Sequence, residues 1–362
     1  MKSYLNFIIT LFVITIFISC GNADDDISFD LNQEELGQGE LPDECLNFGS
    51  SDLTLSIQDQ FITLPSQISI LFRVTDNSQN PVPGLTANQF TIFEQGRNDD
   101  CFNTISSSES FARISPNSQV FNNNTLLVLD LSNSVLQSSL NELQTASINF
   151  IANLMSAEEN PSFRMAIFWF DGEDELHLLN PLTSSVDELT AAINSIDENI
   201  SNDPSTDLFG AVIKATEIAE DLIDTNNDDD LISVASIVLF TDGTDQASRF
   251  SEDSALDAVN EADRNISFFT IGLGTEIDSN ILQEIGKTAS VVANDVRELE
   301  TTFNQISSRV SNLANSFYLF EYCTPKRDGS GDNNLVIQVT NGAQQGAVQT
   351  SFSADGFTGG CE

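Results

Sequence analysis

Asp130, Ser132 and Ser134 close the stretch Thr125-Leu-Leu-Val-Leu-Asp-Leu-Ser-Asn-Ser134, an aspartate followed at i+2 and i+4 by small hydroxyl residues. Hard oxygen donors of this kind suit Mg²⁺, which keeps several waters and takes only one or two carboxylates. One carboxylate beside two hydroxyls would leave such a cation under-neutralised and open to a donor from a partner. Taken alone, Asp-x-Ser-x-Ser is cheap in a chain rich in Ser and Asp. It reads equally well as a polar loop capping the next helix.

The element that must position these residues is the run before them. Residues 126–129 are apolar without alternation, the pattern of a strand buried on both faces of a parallel sheet. In open α/β sheets ligands gather in the crevice outside the carboxyl ends of the strands. Two further stretches have related character. Ile237-Val-Leu-Phe-Thr-Asp-Gly243 again runs an apolar strand into an acidic turn, and Ser205-Thr-Asp-Leu-Phe-Gly-Ala211 puts hydroxyls at the start of a helix-like segment.

With these three stretches the chain resembles the von Willebrand factor type A domain family with an intact metal-ion-dependent adhesion site. The resemblance puts the family's first motif on Asp130, Ser132 and Ser134, its lone threonine on Thr206 and its second aspartate on Asp242. It implies that Ser132 and Ser134 ligate a metal directly, and that Thr206, Asp130 and Asp242 do so directly or through water. The implied ion is Mg²⁺, with Mn²⁺ or Ca²⁺ as alternatives. The implied partner is a protein that supplies an acidic side chain, or another oxygen donor, to the metal.

Residues 120–315 alternate strand and helix, as expected of an α/β, doubly wound and mostly parallel sheet. Helices are expected at 136–155, near 185–196, 207–223 and 252–263, and from 296 to 315; strands at 163–170, 234–240 and 266–272, with an edge candidate at 175–179. The flanks, 51–119 and 316–362, read as strands at 68–74, 89–93, 316–322, 335–339 and 347–352. Residues 74–96, from Val74-Thr-Asp-Asn to Phe93-Glu-Gln-Gly96, resemble the small β-sandwich module that precedes type A domains in many bacterial envelope proteins. That resemblance implies a flanking all-β sandwich built from the N- and C-terminal segments.

Residues 1–19 join a short basic start to a short apolar run, a secretion signal rather than a span, which needs roughly 20 apolar residues. Phe17-Ile18-Ser19-Cys20 resembles the lipobox of bacterial lipoproteins, although Phe17 departs from the usual leucine. It implies an outer-membrane lipoprotein acylated on Cys20; an ordinary signal peptide is the alternative. Residues 20–50 form an acidic tether too polar to pack a core. Within it Asp24-Asp25-Asp26 resembles acidic signals that send lipoproteins to the cell surface, and reads otherwise as a solvated spacer.

Thirteen Lys and Arg against 55 Asp and Glu give the chain a formal charge of −42. That field repels nucleic acid and anionic membrane surfaces. An acidic partner group can approach only where a cation has reversed the local potential. Beyond Cys20 there remain Cys45, Cys101, Cys323 and Cys361, an even number that suggests two disulfides in an exported chain. Their placement on both flanks favours Cys45 with Cys361 and Cys101 with Cys323; local pairing or free thiols are the alternatives.

Other features carry less. His177, the only histidine, sits in Leu176-His177-Leu178 and reads as a solvated strand position rather than a zinc ligand. With no second histidine, the usual imidazole triads and zinc sites are hard to assemble. Residues 224–230 resemble the front of a calcium loop but place Asp229 where glycine is needed. Gly272-Leu-Gly274 is too short for a dinucleotide fingerprint. The expected function is lipid-anchored adhesion or protein–protein interaction through the cation. A structural scaffold for an envelope complex, with the metal serving stability, is the competitor. No spacing singles out a carboxylate pair for hydrolysis, so an enzyme is not expected.

Overall fold

The computed structural model describes residues 39–96, 98–105, 113–116, 121–155, 161–227, 232–325 and 331–358. The signal segment, Cys20, the first part of the tether, Asp228 to Asp230 and Cys361 lie outside them. Five strands come first: β1 (Leu53–Thr63), β2 (Gln67–Asp76), β3 (Phe90–Gln95), β4 (Asn103–Thr104) and β5 (Arg113–Pro116). The middle of the chain gives β6 (Phe121–Asp130), α1 (Asn133–Ser138), α2 (Leu140–Leu154), β7 (Phe163–Phe170), β8 (His177–Thr183), α3 (Val186–Asn194) and α4 (Leu208–Asn227). It continues with β9 (Ile232–Thr241), α5 (Glu252–Glu261), β10 (Ile266–Leu273), α6 (Ser279–Ile285), β11 (Ala289–Ala293) and α7 (Leu299–Ala314). Three strands end it: β12 (Phe317–Cys323), β13 (Asp332–Asn341) and β14 (Gln344–Ser353).

The central sheet has the order β11-β10-β9-β6-β7-β8. It is parallel except for β8, which runs antiparallel to β7. Strand β6 lies in its middle, and its lack of alternation has a direct cause. Leu127 and Leu129 face a core shared with Phe150 of α2 and Phe303 and Ile306 of α7, while Leu126 and Val128 face another shared with Ala211, Ala215 and Ala219 of α4. Both faces are covered by helices, so positions 126–129 are all apolar. Each fully buried Leu contributes roughly 1.5–3 kcal/mol.

The flanks form two four-stranded antiparallel sheets, β1-β2-β12-β5 and β14-β13-β3-β4, each drawing strands from both ends of the chain. They share a core that includes Ile70, Phe72, Tyr318, Phe320, Ile337 and Phe352. Leu71 and Leu319 alternate to the opposite face and enter the core of α2 and α7. The period of two in β2 and β12 thus serves two cores at once.

The structure departs from the expectations at several points. The helix expected over 136–155 is broken at Ser139, whose backbone leaves the helical region (φ −143°) and whose buried hydroxyl donates to the Val135 carbonyl. Serine competes for backbone partners in this way. Helix α6 and strand β11 were not foreseen, because elements of seven and five residues carry too little periodicity. The long-range disulfide pairing is also wrong: Cys45 joins Cys101, with Cα atoms 6.0 Å apart. Phe48 packs edge-on against Phe93 of β3, and β4, just after Cys101, pairs with the same strand. Both cysteines are therefore carried to one sheet edge. Cys323 is disulfide-bonded too. Among the described residues no helix is long and apolar enough to cross a membrane.

Candidate metal centre

From β6 the chain moves outward through β7 and β8 on one side, and from β9 through β10 and β11 on the other. The carboxyl ends of β6 and β9 therefore flank a topological switch point, where open α/β sheets bind ligands. Asp130 is the last residue of β6, and Asp242 follows the last residue of β9.

The Asp130 carboxylate is fully buried. Its Oδ1 accepts the Ser132 N–H at 2.9 Å and its Oδ2 accepts the Thr241 hydroxyl at 2.7 Å. Ser132 occupies the N-cap position of α1 without a side-chain capping bond, and its Oγ lies 3.2 Å from Ser134 Oγ. The Ser134 hydroxyl also lies within donating distance of Asp242 Oδ1, 3.0 Å away. Four of the five residues are thus joined directly. Thr206, just before α4, is fastened to the loop after Asp242: its carbonyl accepts the N–H groups of Gln246 and Ala247 at 2.9 and 3.1 Å. Its hydroxyl faces Gly243, where a Cβ would come within 3.8 Å.

The electrostatics are those of a site short of positive charge. Burial pushes the Asp130 carboxyl up to about 6, opposed by the Thr241 hydrogen bond and assisted by the nearby Asp242. Burial also raises the Asp242 carboxyl, opposed by Ser134 and assisted by Glu276. Among the described residues no lysine or arginine forms an ion pair with either. Two desolvated carboxylates, Asp242 raising Asp130 and Glu276 raising Asp242, would both be relieved by a cation between them. The donors are carboxylate and hydroxyl oxygens, the hard set that fits Mg²⁺ or Mn²⁺.

Several supporting residues escaped the sequence reading. Thr241 is fully buried and orients Asp130; its only signal was a hydroxyl at a strand end, directly before Asp242. Asp171 follows β7, and its carbonyl accepts the Asp207 N–H at 2.7 Å, fixing the turn that carries Thr206. Arg249 holds the same region by donating to the Gly172 carbonyl at 2.8 Å. His177 begins β8 and is not one of the group around Asp130. Nor is it a freely solvated strand residue, since its ring lies flat against Trp169 at 3.9 Å. Cys323 ends β12, while Cys45 and Cys101 lie outside the strands, and none of the three belongs to this centre.

Three solved structures similar to this chain are the conserved hypothetical protein BatB from Bacteroides thetaiotaomicron, a von Willebrand factor type A protein from Catenulispora acidiphila, and the manganese-loaded TRAP protein from Plasmodium vivax. BatB is 18% identical over 53% of this chain and 98% of its own, with a TM-score of 0.40. The Catenulispora protein is 10% identical over 83% and 75%, with a TM-score of 0.45. TRAP is 15% identical over 68% and 98%, with a TM-score of 0.41. No curated protein sequence matches. Residues 124–309 match the family model of the von Willebrand factor type A domain, about half of the chain.

Proposed function

The chain belongs to the von Willebrand factor type A domain family, and on that premise we propose that it is a lipid-anchored envelope protein binding a protein partner through a divalent cation. Asp130, Ser132, Ser134, Thr206 and Asp242 would hold the ion, Mg²⁺ or Mn²⁺. The observation that carries the reading is the run of contacts from Asp130 through Ser132 and Ser134 to Asp242, set at the ends of two neighbouring parallel strands. The ion, when bound, supplies a Lewis-acid position for an oxygen donor of the partner. Ser132 and Ser134 are neutral and leave that position electrophilic; Thr241 holds Asp130 in place; Asp242 balances part of the charge. In a chain of net charge −42, an acidic group is admitted only where the cation sits. Export through residues 1–19 and acylation of Cys20 would tether the protein to the outer membrane, facing the periplasm or the outside. The reading is of a binding protein and not of an enzyme.

Calorimetric titration of Mg²⁺ and Mn²⁺ into the chain, beside Asp130→Ala, tests the centre. Binding by the parent and none by the variant is expected. A variant that retains the cation with unchanged affinity would remove Asp130 from the site, and partner binding indifferent to a chelator would end the mechanism.

A scaffold role, with the cation serving stability, is favoured by one observation: Asp130 is buried with only neutral donors. It predicts that chelation lowers the melting temperature while partners recovered from native envelopes stay the same.

A further inference from the structure

We propose that Asp171, Glu173 and His177 form a second cation site, distinct from the centre at Asp130 and selective for a transition-metal ion of the zinc type. The three residues lie in the turn from β7 to β8 and at the start of β8. One carboxylate oxygen of Asp171, one of Glu173 and one ring nitrogen of His177 all lie within 4.8 Å of one another. That spread can close around a single ion.

The state of the His177 ring points to a ligand as well. His177 Nε2 is shut off from solvent and has no hydrogen-bond partner. Its Nδ1 is 3.7 Å from Glu175 Oε1, beyond hydrogen-bonding distance. Among the described residues neither ring nitrogen therefore has a hydrogen-bond partner, and a buried polar atom left unpaired is costly; coordination would use a nitrogen that no protein group satisfies. The ring is also held ready, stacked on Trp169 with 13° between planes. The side chain as a whole is 21% exposed and Glu173 is exposed, so the cluster borders solvent.

The carboxylates are arranged in the same sense. Asp171 is buried; its Oδ1 accepts the Glu173 N–H at 2.8 Å and its Oδ2 the Ser201 hydroxyl at 2.5 Å. Hydrogen bonds of this kind orient a metal ligand from behind. Glu173 is exposed and completes the set from the solvent side. Neither nearby cation fills the space: Lys214 pairs with Asp174 and Asp207, and Arg249 donates to the Gly172 carbonyl.

The two centres differ in chemistry. The first offers oxygen alone. The second adds an imidazole, which suits Zn²⁺ and its transition-metal neighbours and does little for Mg²⁺ or Ca²⁺. Three protein ligands leave the ion a further coordination position. The sites are neighbours, since Phe170, just before Asp171, pairs with Asp130 across β7 and β6.

The test is Zn²⁺ titration of the tag-free full chain with Mg²⁺ saturating, read by calorimetry and by metal content after gel filtration. The chain is compared with His177→Phe, which keeps an aromatic ring on Trp169, with the exposed-site variant Glu173→Gln, and with Asp130→Ala. The parent should retain one equivalent of Zn²⁺. His177→Phe should lose it while binding Mg²⁺ as before, Glu173→Gln should bind Zn²⁺ at least tenfold more weakly, and Asp130→Ala should keep it. The proposal is overturned if His177→Phe and Glu173→Gln both bind Zn²⁺ like the parent, or if Asp130→Ala alone abolishes Zn²⁺ binding. Loss of Mg²⁺ binding in the parent would instead strike at the first centre and leave this one standing.

Discussion

At the scale of residues, the centre depends on how Asp130 is solvated. Its carboxyl titrates near 6 in the folded chain without a cation, against 3.8 ordinarily, chiefly because burial disfavours the charge. Between those values the folded state holds a proton that the unfolded state has lost. Asp130's contribution to stability is therefore full below about pH 4 and is lost as pH rises through about 6, a change of about 3 kcal/mol. In chelator, the stability difference between the parent and Asp130→Asn should shift by about that amount from pH 4 to pH 7. Urea unfolding at several pH values measures it, and a difference independent of pH would contradict the account. A saturating cation should remove most of the slope, since it compensates the same charge.

At the scale of elements, the site is steady because short connections are held on both sides. The turn before α4 is tied to the loop after β9 through the Thr206 carbonyl, and to β7 through Asp207 N–H and the Asp171 carbonyl. The flanking sheets are held differently, by close backbone approach. A Cβ at Gly346 of β14 would stand 2.0 Å from the Leu53 carbonyl oxygen of β1. Because that neighbour is backbone, Gly346→Ala must push the two sheets apart, at about 1–3 kcal/mol. Denaturant unfolding should register the loss while Mg²⁺ affinity stays unchanged. An unchanged midpoint would mean that β14 can shift freely.

At the scale of the whole molecule, the segment after residue 33 is one compact unit. Leu71 and Leu319 place the β1-β2-β12-β5 sheet against α2 and α7 by entering their core. The Cys45–Cys101 bridge fastens the start of this unit to the edge of the other sheet, across a sequence separation of 56 residues. A loop of that length gives about 4 kcal/mol of stabilisation in the chain-entropy account. Peptide mapping without reductant should recover Cys45 linked to Cys101, and Cys45→Ala with Cys101→Ala should lower the unfolding free energy measured in denaturant by about that amount. Recovery of Cys45 linked to Cys361 would refute the pairing.

The sequence alone determined what depends on local pattern. The unbroken apolar run before Asp130 identified a strand covered on both faces, the alternation of strand and helix identified the sheet class, and residue types at fixed spacing, joined to the type A resemblance, singled out five candidate oxygen donors. Short elements were illegible, because α6 and β11 hold too few residues to display a period. Tertiary structure decided what depends on distant parts of the chain. Thr241 became a support for Asp130 only because β9 lies beside β6, and Cys45 met Cys101 only because Phe48 and β4 both reach β3. His177 reads from its neighbours as an ordinary strand residue; whether its nitrogen meets water or the carboxylates of Asp171 and Glu173 is set by the turn between β7 and β8. Spacing along the chain specifies which donors exist, whereas desolvation and partnership arise only when the fold closes around them.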